Sequence, residues 1–130
     1  MKLLFLVSAG GAIGAVLRFL TYQLFAGPAL MRGGAAFPWA TLTVNVVGSF
    51  LMGIAAVAIT ERFASSPELR ALFMTGILGG FTTFSAFSLD AFELYVNRPP
   101  EALAAYIAAS VGLSIAALIA GMACARWTLA

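Results

Sequence analysis

Residues 37–60 read FPWATLTVNVVGSFLMGIAAVAIT, and none of these 24 consecutive side chains carries a charge. A helix needs about 20 mainly apolar residues to cross about 30 Å of hydrocarbon, so this stretch is long enough to span a membrane. The same pattern occurs on both sides of it, in the uncharged stretches 71–89 and 102–125 and in residues 3–25, which only Arg18 interrupts. The sequence therefore predicts one all-α membrane domain of four helices, over residues 3–26, 37–60, 68–96 and 101–125.

The composition of the whole chain agrees with a lipid environment. Hydrophobic residues make up 62% of the 130 positions and charged residues only 9%, whereas soluble domains carry about 25% charged residues. So few charges cannot cover the surface of a globule in water, which excludes an ordinary soluble enzyme and a disordered chain. The net charge of +2 is too small for a nucleic-acid binder. One cysteine and no histidine exclude a disulfide framework and a Cys/His zinc site.

The distribution of basic residues leaves the orientation of the chain open. An even number of spans puts both termini on one side of the membrane. That side holds four basic residues and the other side two, namely Lys2, Arg62, Arg70 and Arg126 against Arg32 and Arg98. Cytoplasmic loops carry an excess of Lys and Arg. So small a margin is compatible with insertion in both orientations, and also with a fixed orientation set by one dominant helix.

Polar residues inside the predicted spans are the first candidates for function, because they are expensive to bury in lipid. In the second span, Thr41, Asn45, Gly48, Ser49 and Met52 recur at helical spacing on one face. The Asn45 amide could bind a ligand through its N–H groups, or it could hold two helices together, as polar side chains in membrane helices often do. Both interpretations stay open.

The third span contains a segment that is unusual for a membrane helix, GGFTTFSAFS at residues 79–88. Two adjacent glycines and two β-branched threonines disfavour a continuous helix, although a tight glycine crossing within a continuous helix would also account for them. A break would free backbone carbonyls, which are natural cation ligands where protein or a cavity surrounds them. Close by, Phe84, Phe87 and Asp90 share a face, and the two rings either pack or point their positive edges at an anion.

The fourth span carries hydroxyl groups at i, i+4 and i+8, on Tyr106, Ser110 and Ser114. The serines either bond back to their own helix or line a pore together with the tyrosine. In the first span, Gly10 and Gly14 form a GxxxG pair, which is typical of a close helix contact. Arg18 in the same span is either an anchor that reaches the membrane surface or a cation at an aqueous vestibule.

Amide, hydroxyl and aromatic-edge donors thus recur in the spans, without a lysine or histidine among them. Such a lining could replace the water around a small anion without holding the ion too tightly to leave. Four helices in 130 residues can hardly enclose a pore alone, so we expect an oligomer.

Three motifs resemble those of the CrcB/Fluc fluoride channel family, namely GGAIGAVLR at 10–18, ATLTVNVVGSF at 40–50 and GGFTTFSAFS at 79–88. The resemblance extends over the length of the chain. It implies an antiparallel, dual-topology homodimer in a prokaryotic plasma membrane, with two fluoride pores along the subunit interface and a third helix broken in the middle of the membrane. It also implies passive export: hydrogen fluoride enters as a neutral acid and dissociates in the cytoplasm, and the ion leaves down its electrochemical gradient. No enzymatic activity and no organic cofactor are expected.

The same resemblance implies roles for individual residues. A structural Na⁺ at the dimer centre would be bound by the backbone carbonyls of Gly79 and Thr82 from both subunits. The implied pore residues are Asn45, the phenylalanines Phe84 and Phe87, and the polar residues Thr41, Tyr106, Ser110 and Ser114. Positions that support the pore or line its vestibule are Arg18, Thr83, Ser85 and Asp90. The family commonly has glutamate where this chain has Asp90, whose shorter side chain reaches less far.

Two other functions are compatible with some of these features. A proton-coupled fluoride or small-ion exporter would resemble the small multidrug resistance proteins, which are also short four-span antiparallel dimers, and it would need a membrane-embedded carboxylate. The first span has none, and Asp90 is the only deep candidate. A non-transporting scaffold subunit held by GxxxG contacts would leave Asn45 and the hydroxyl groups of the fourth span without a function.

Overall fold

The computed structural model describes residues 1–26 and 37–129. All regular structure within these residues is helical, and no strand occurs among them. The elements are, in chain order, α1 (Lys2–Ala26), α2 (Trp39–Glu61), α3 (Pro67–Leu69), a π-helical stretch (Arg70–Leu78), α4 (Gly79–Phe81), α5 (Phe84–Asn97) and α6 (Pro100–Leu129). The predicted all-helical fold is therefore confirmed for this part of the chain. Arg32, on which the comparison of basic residues partly depends, lies outside the described residues.

Four helical segments are long and apolar enough to cross a membrane: Lys2–Phe25, Trp39–Glu61, Pro67–Asn97 and Pro100–Leu129. The most apolar stretches of the first and the last of these are only 11% buried inside the protein. Large apolar side chains such as Phe5, Leu20, Ile107 and Ile119 are exposed instead. A helix that is hydrophobic all round and has no protein cover needs lipid as its solvent, so the prediction of four membrane helices is confirmed.

Glycines bring α1 into close contact with the first part of the third span, residues 67–81. A methyl group on Gly10 would lie 2.5 Å from the Leu72 carbonyl oxygen, and Gly14 meets the Ile77 carbonyl more closely still. Only a residue without a side chain permits such an approach of two backbones. The GxxxG pair of the first span therefore forms the helix contact that its spacing predicts.

A second pair of glycines joins α2 and α6. A Cβ atom on Gly53 would overlap the Leu118 carbonyl oxygen, and Gly121 faces the Phe50 carbonyl in the same way. These contacts hold α6 directly beside α2. As a result, polar residues on the two helices border one groove.

The third span is interrupted at Thr82 and Thr83. Both residues have extended backbone, with a ψ of 157° at Thr82 and a φ of −153° at Thr83. Helical structure ends at Phe81 and begins again at Phe84. The Thr83 hydroxyl accepts a hydrogen bond from the Ala86 N–H at 3.2 Å and thereby caps α5. The interruption thus divides one ladder of helical hydrogen bonds into two.

Candidate functional site

A groove of about 380 Å³ opens between α2, the interruption, α5 and α6. Five of the seven predicted pore residues line it, namely Asn45, Phe84, Phe87, Ser110 and Ser114. Ser49, Thr82 and Thr83 add further polar groups. Among the residues that the structure describes, no charged side chain borders the groove. The site is therefore polar but electrically neutral.

Asn45 holds the interruption in place from α2. Its side-chain carbonyl accepts the Thr83 N–H at 2.9 Å, and its Nδ2 donates to the Thr83 carbonyl at 3.0 Å. The amide thus satisfies an extended residue that has no neighbouring strand. One amide hydrogen of Asn45 is left for another acceptor. The sequence leaves open whether Asn45 joins two helices or binds a ligand. With two hydrogen bonds to Thr83 and one amide hydrogen left, its side chain can do both.

The interruption also changes the partners of two backbone carbonyls. In a continuous helix the Gly79 carbonyl would accept the Thr83 N–H, and the Thr82 carbonyl would accept the Ala86 N–H. The first of these N–H groups donates to Asn45 instead, and the second donates to the Thr83 hydroxyl. Both carbonyls that the family resemblance names as Na⁺ ligands thus lose their helical donors. The described residues hold no group of three or more His, Cys, Asp or Glu side chains that could bind a metal.

Gly48 allows α2 to approach the interruption. A Cβ atom at this position would overlap the Thr82 methyl group and lie 3.2 Å from the Phe81 ring. Thr82 cannot easily move away, since both its N–H and its hydroxyl donate to the Leu78 carbonyl at 2.9 Å. A larger residue at position 48 would therefore push α2 away from the segment that Asn45 holds.

Aromatic rings form a continuous row beside the groove. Ring centroids lie 5.3 Å apart for Phe84 and Phe87, 5.4 Å for Phe87 and Tyr106, and 5.6 Å for Tyr106 and Phe37. The last pair meets edge to face, with an angle of 89° between the ring planes. Phe84 lies at the other end of the row and is 77% exposed. Contacts within the protein therefore explain the position of Phe87 but leave most of the Phe84 ring available to a partner.

Tyr106 does not line the groove, although it belongs to the predicted pore residues. It is completely buried, and its hydroxyl donates to the Asp90 carboxylate at 3.1 Å. This hydrogen bond joins α5 to α6 just beyond Phe87. Asp90 thus has a partner within the chain despite its short side chain.

Ser110 and Ser114 carry buried hydroxyl oxygens that have no partner at hydrogen-bond geometry in the described part of the chain, although the Tyr106 hydroxyl lies near that of Ser110. Ser110 is only 6% exposed. Neither serine bonds back to its own helix, in contrast to Ser8, Thr21 and Ser88, whose hydroxyls donate to carbonyls four residues earlier. A buried polar group without a partner costs about 1–3 kcal/mol. Two such groups on one wall of a groove leave hydroxyls that could bond to a partner from outside the described residues.

Thr41 lies outside the groove and is only 1% exposed. Its hydroxyl oxygen is 2.6 Å from that of Tyr22 on α1. The sequence analysis does not predict Tyr22, although its hydroxyl lies inside a membrane span and is therefore the same kind of signal as the serine hydroxyls of the fourth span.

Arg18, one turn earlier on α1, is half-buried and makes no ion pair or hydrogen bond within residues 1–26 and 37–129. Ser85 is exposed, and its hydroxyl lies 3.1 Å from that of Thr83.

Four apolar helices with a neutral, hydrogen-bonding groove define the class of the protein: it is a small multi-pass membrane protein whose groove suits the passage of a solute. A family model described as "CrcB-like protein, Camphor Resistance (CrcB)" matches residues 5–122. The chain belongs to this family. The resemblance inferred from the three sequence motifs is thereby confirmed.

Relatives that cover nearly the whole chain are named fluoride-specific ion channel FluC. The protein of this name from Rhizobium etli is 57% identical over 122 residues, which make up 94% of each chain. The one from Rhizobium meliloti is 52% identical over 126 residues, or 97% of this chain and 98% of that protein. The one from Rhodospirillum centenum is 50% identical over 131 residues and covers both chains fully. A family of ion channels is not a family of enzymes. The relatives are bacterial, and the chain has four membrane helices. It is therefore a multi-pass protein of a prokaryotic plasma membrane.

Proposed function

We propose that the chain is the subunit of a fluoride channel, which exports fluoride passively from the cytoplasm. The observation that carries this proposal is the groove. There the Asn45 amide, the rings of Phe84 and Phe87 and the unpartnered hydroxyls of Ser110 and Ser114 border one space of about 380 Å³. The names of the relatives support fluoride as the ion.

Fluoride is small and strongly hydrated, so the loss of its hydration water is the main barrier to permeation. The groove offers hydrogens in place of this water, from the second N–H of Asn45, the hydroxyls of the two serines and the positive edges of the phenyl rings. None of these groups is charged, so each binds the ion moderately. Several moderate sites in series let an ion leave as readily as it enters. Exclusion of the larger chloride ion would require the path closed by two subunits to be narrow.

The ion path requires a second subunit. A polar groove that is open at the protein surface is unfavourable against acyl chains, because its partly exposed polar lining, such as Asn45 and Ser49, would meet hydrocarbon. A second copy that covers the groove would turn it into a channel and would bury the exposed ring of Phe84. In agreement with what the family resemblance implies, we infer that this second copy forms an antiparallel, dual-topology homodimer with two pores. Each chain would contribute one domain of four spans, with the third span broken in the middle of the membrane at Thr82 and Thr83.

The carbonyls of Gly79 and Thr82 would hold a structural Na⁺ at the centre of this dimer. The loss of their helical donors supports the assignment, since carbonyl oxygens at unwound helix segments are known Na⁺ ligands in membrane proteins. Sodium, when bound, supplies the positive charge that satisfies these oxygens. The two bonds from Thr82 to the Leu78 carbonyl would keep Thr82 in position for this role.

The remaining predicted residues would support the ion path from its surroundings. Thr83 and Ser85 would stabilise the start of α5 through their hydroxyl contact. Asp90 would fix α5 against α6 by accepting the Tyr106 hydroxyl. The supporting set consists of Arg18, Thr83, Ser85 and Asp90, with Arg18 as the positive charge that concentrates anions at a vestibule.

Purified protein in fluoride-loaded liposomes tests the proposal. We expect fast fluoride efflux, followed with a fluoride electrode, once a potassium ionophore prevents the build-up of a membrane potential. Chloride and guanidinium are the control ions and should be retained. A proton-coupled exporter would instead accumulate fluoride when only a proton gradient is applied, and this activity would depend on Asp90. Retention of fluoride under all of these conditions would refute the channel.

A further inference from the structure

We propose that Tyr22 is a positioning residue for the ion path: it donates a hydrogen bond to Thr41 and thereby presents the Thr41 hydroxyl hydrogen to the ion. This inference rests on the proposed fluoride channel function. It starts from the contact between the two hydroxyl oxygens, which lie 2.6 Å apart and join α1 to α2. Tyr22 lies outside the three motifs on which the family resemblance is based.

Thr41 is well placed to take part in the ion path, although it does not border the groove itself. It comes four residues before Asn45, so the two side chains lie one turn apart on the same face of α2. Thr41 therefore extends the row of polar side chains on this face of α2 by one turn toward the start of the helix. Because only 1% of its surface is exposed, the direction of its hydroxyl depends on its partners within the protein.

The chemistry of the pair makes Tyr22 the donor. A phenolic hydroxyl is more acidic than an aliphatic one and is therefore the better hydrogen-bond donor. The usual acceptor for a threonine in a helix is the carbonyl four residues earlier, here that of Phe37. Among the described residues, the Thr41 hydroxyl makes no hydrogen bond to that carbonyl and contacts the Tyr22 hydroxyl instead. The hydrogen of Thr41 is thus left over, and a hydroxyl that accepts one hydrogen bond becomes a stronger donor in the next.

A bond between two helices can also have a purely structural role, and the two roles have different consequences. Loss of a structural bond lowers the amount of assembled channel. Loss of positioning lowers the rate at which each assembled channel passes ions. Contacts at Gly10 and Gly14 already hold α1 against the third span, so assembly does not depend on the Tyr22 hydroxyl alone.

The test uses fluoride-loaded liposomes that contain on average less than one dimer each. The final extent of fluoride release reports the fraction of vesicles with a working channel, and the initial rate reports the throughput of each channel. For Tyr22→Phe, which removes only the hydroxyl, we expect an unchanged extent and a rate about fivefold lower, as for the loss of one hydrogen bond. Thr41→Val should lower the rate at least as much. The double variant should be no slower than Thr41→Val, because Tyr22 acts through Thr41.

Tyr95→Phe is the matched control, because Tyr95 is exposed on α5 and its hydroxyl has no part in the proposal. An unchanged rate for Tyr22→Phe, or rate losses that multiply in the double variant, would overturn the positioning role and leave the channel function intact. A wild-type protein that releases no fluoride would overturn the channel function itself. Should Tyr22→Phe fail to assemble, the comparison moves to position 41. There Thr41→Ser keeps the hydroxyl and should conduct faster than Thr41→Val, and equal rates for these two variants would refute the proposal.

Discussion

Replacement of Asn45 by leucine removes both hydrogen bonds that hold the interruption of the third span. Thr83 is only 8% exposed, so its N–H would be left buried without a partner, at a cost of about 1–3 kcal/mol. The Thr83 carbonyl would keep one partner, because it also accepts the first hydrogen bond of α5. The loss at this carbonyl is therefore a single hydrogen bond of about 0.5–1.5 kcal/mol. We therefore expect Asn45→Leu to lower the free energy of unfolding by about 2–4 kcal/mol.

Unfolding of the detergent-solubilised protein in SDS, followed by the circular dichroism of its helices, measures this loss. Asn97→Leu is the matched control, because the Asn97 side chain is exposed and, among the residues described, donates only to the Glu93 carbonyl of its own helix, at 3.0 Å. For this control we expect a change within about 0.5 kcal/mol. Fluoride efflux should be lost in Asn45→Leu and kept in Asn97→Leu. Equal unfolding free energies for the two variants would refute the argument that Asn45 holds the interruption.

Three further predictions concern the groove. Gly48→Ala should slow fluoride efflux and lower stability by about 1–3 kcal/mol, because its methyl group overlaps a side chain of the interruption. The control Gly112→Ala, around which the described residues leave open space, should keep efflux unchanged and raise stability by about 0.5–1 kcal/mol, as alanine in place of glycine does inside a helix. Ser110→Ala should keep or raise stability in the SDS titration, because it removes a buried hydroxyl without a partner, and it should nevertheless slow efflux; undiminished efflux would exclude this hydroxyl from the ion path. Phe84→Ile and Phe87→Ile should lower efflux while size-exclusion chromatography still shows the dimer, and full efflux in both variants would contradict a pore role of the rings.

The membrane spans could be predicted from the sequence because apolar, charge-free stretches of this length are typical of helices that cross a bilayer. For the second span, the prediction of 37–60 compares with a helix from Trp39 to Glu61, since proline and charge are local signals of helix ends. The π-helical stretch Arg70–Leu78 is not predicted. A change from bonds over four residues to bonds over five leaves no mark in composition or in charge.

The partners of the polar residues could not be predicted, because spacing along one helix does not reveal what lies opposite. The polar face with Asn45 is visible in the sequence, yet its partner Thr83 is 38 positions away. Ser110 has the right residue type to bond to its own helix, and only the fold reveals that it does not. Thr41 is predicted for the pore on the same basis as Asn45, and its contact with Tyr22 depends on how α1 and α2 are rotated toward each other.

The neutral groove has no side chain, among the residues described, that gains or loses a proton near neutrality. Amide, hydroxyl and phenyl groups keep the same charge in acidic and in alkaline surroundings. The affinity of such a path for an ion should therefore not depend on pH. Acid surroundings are also the condition that drives most weak acid into a cell, so an escape route of this kind would stay open at the time when the cell needs it most.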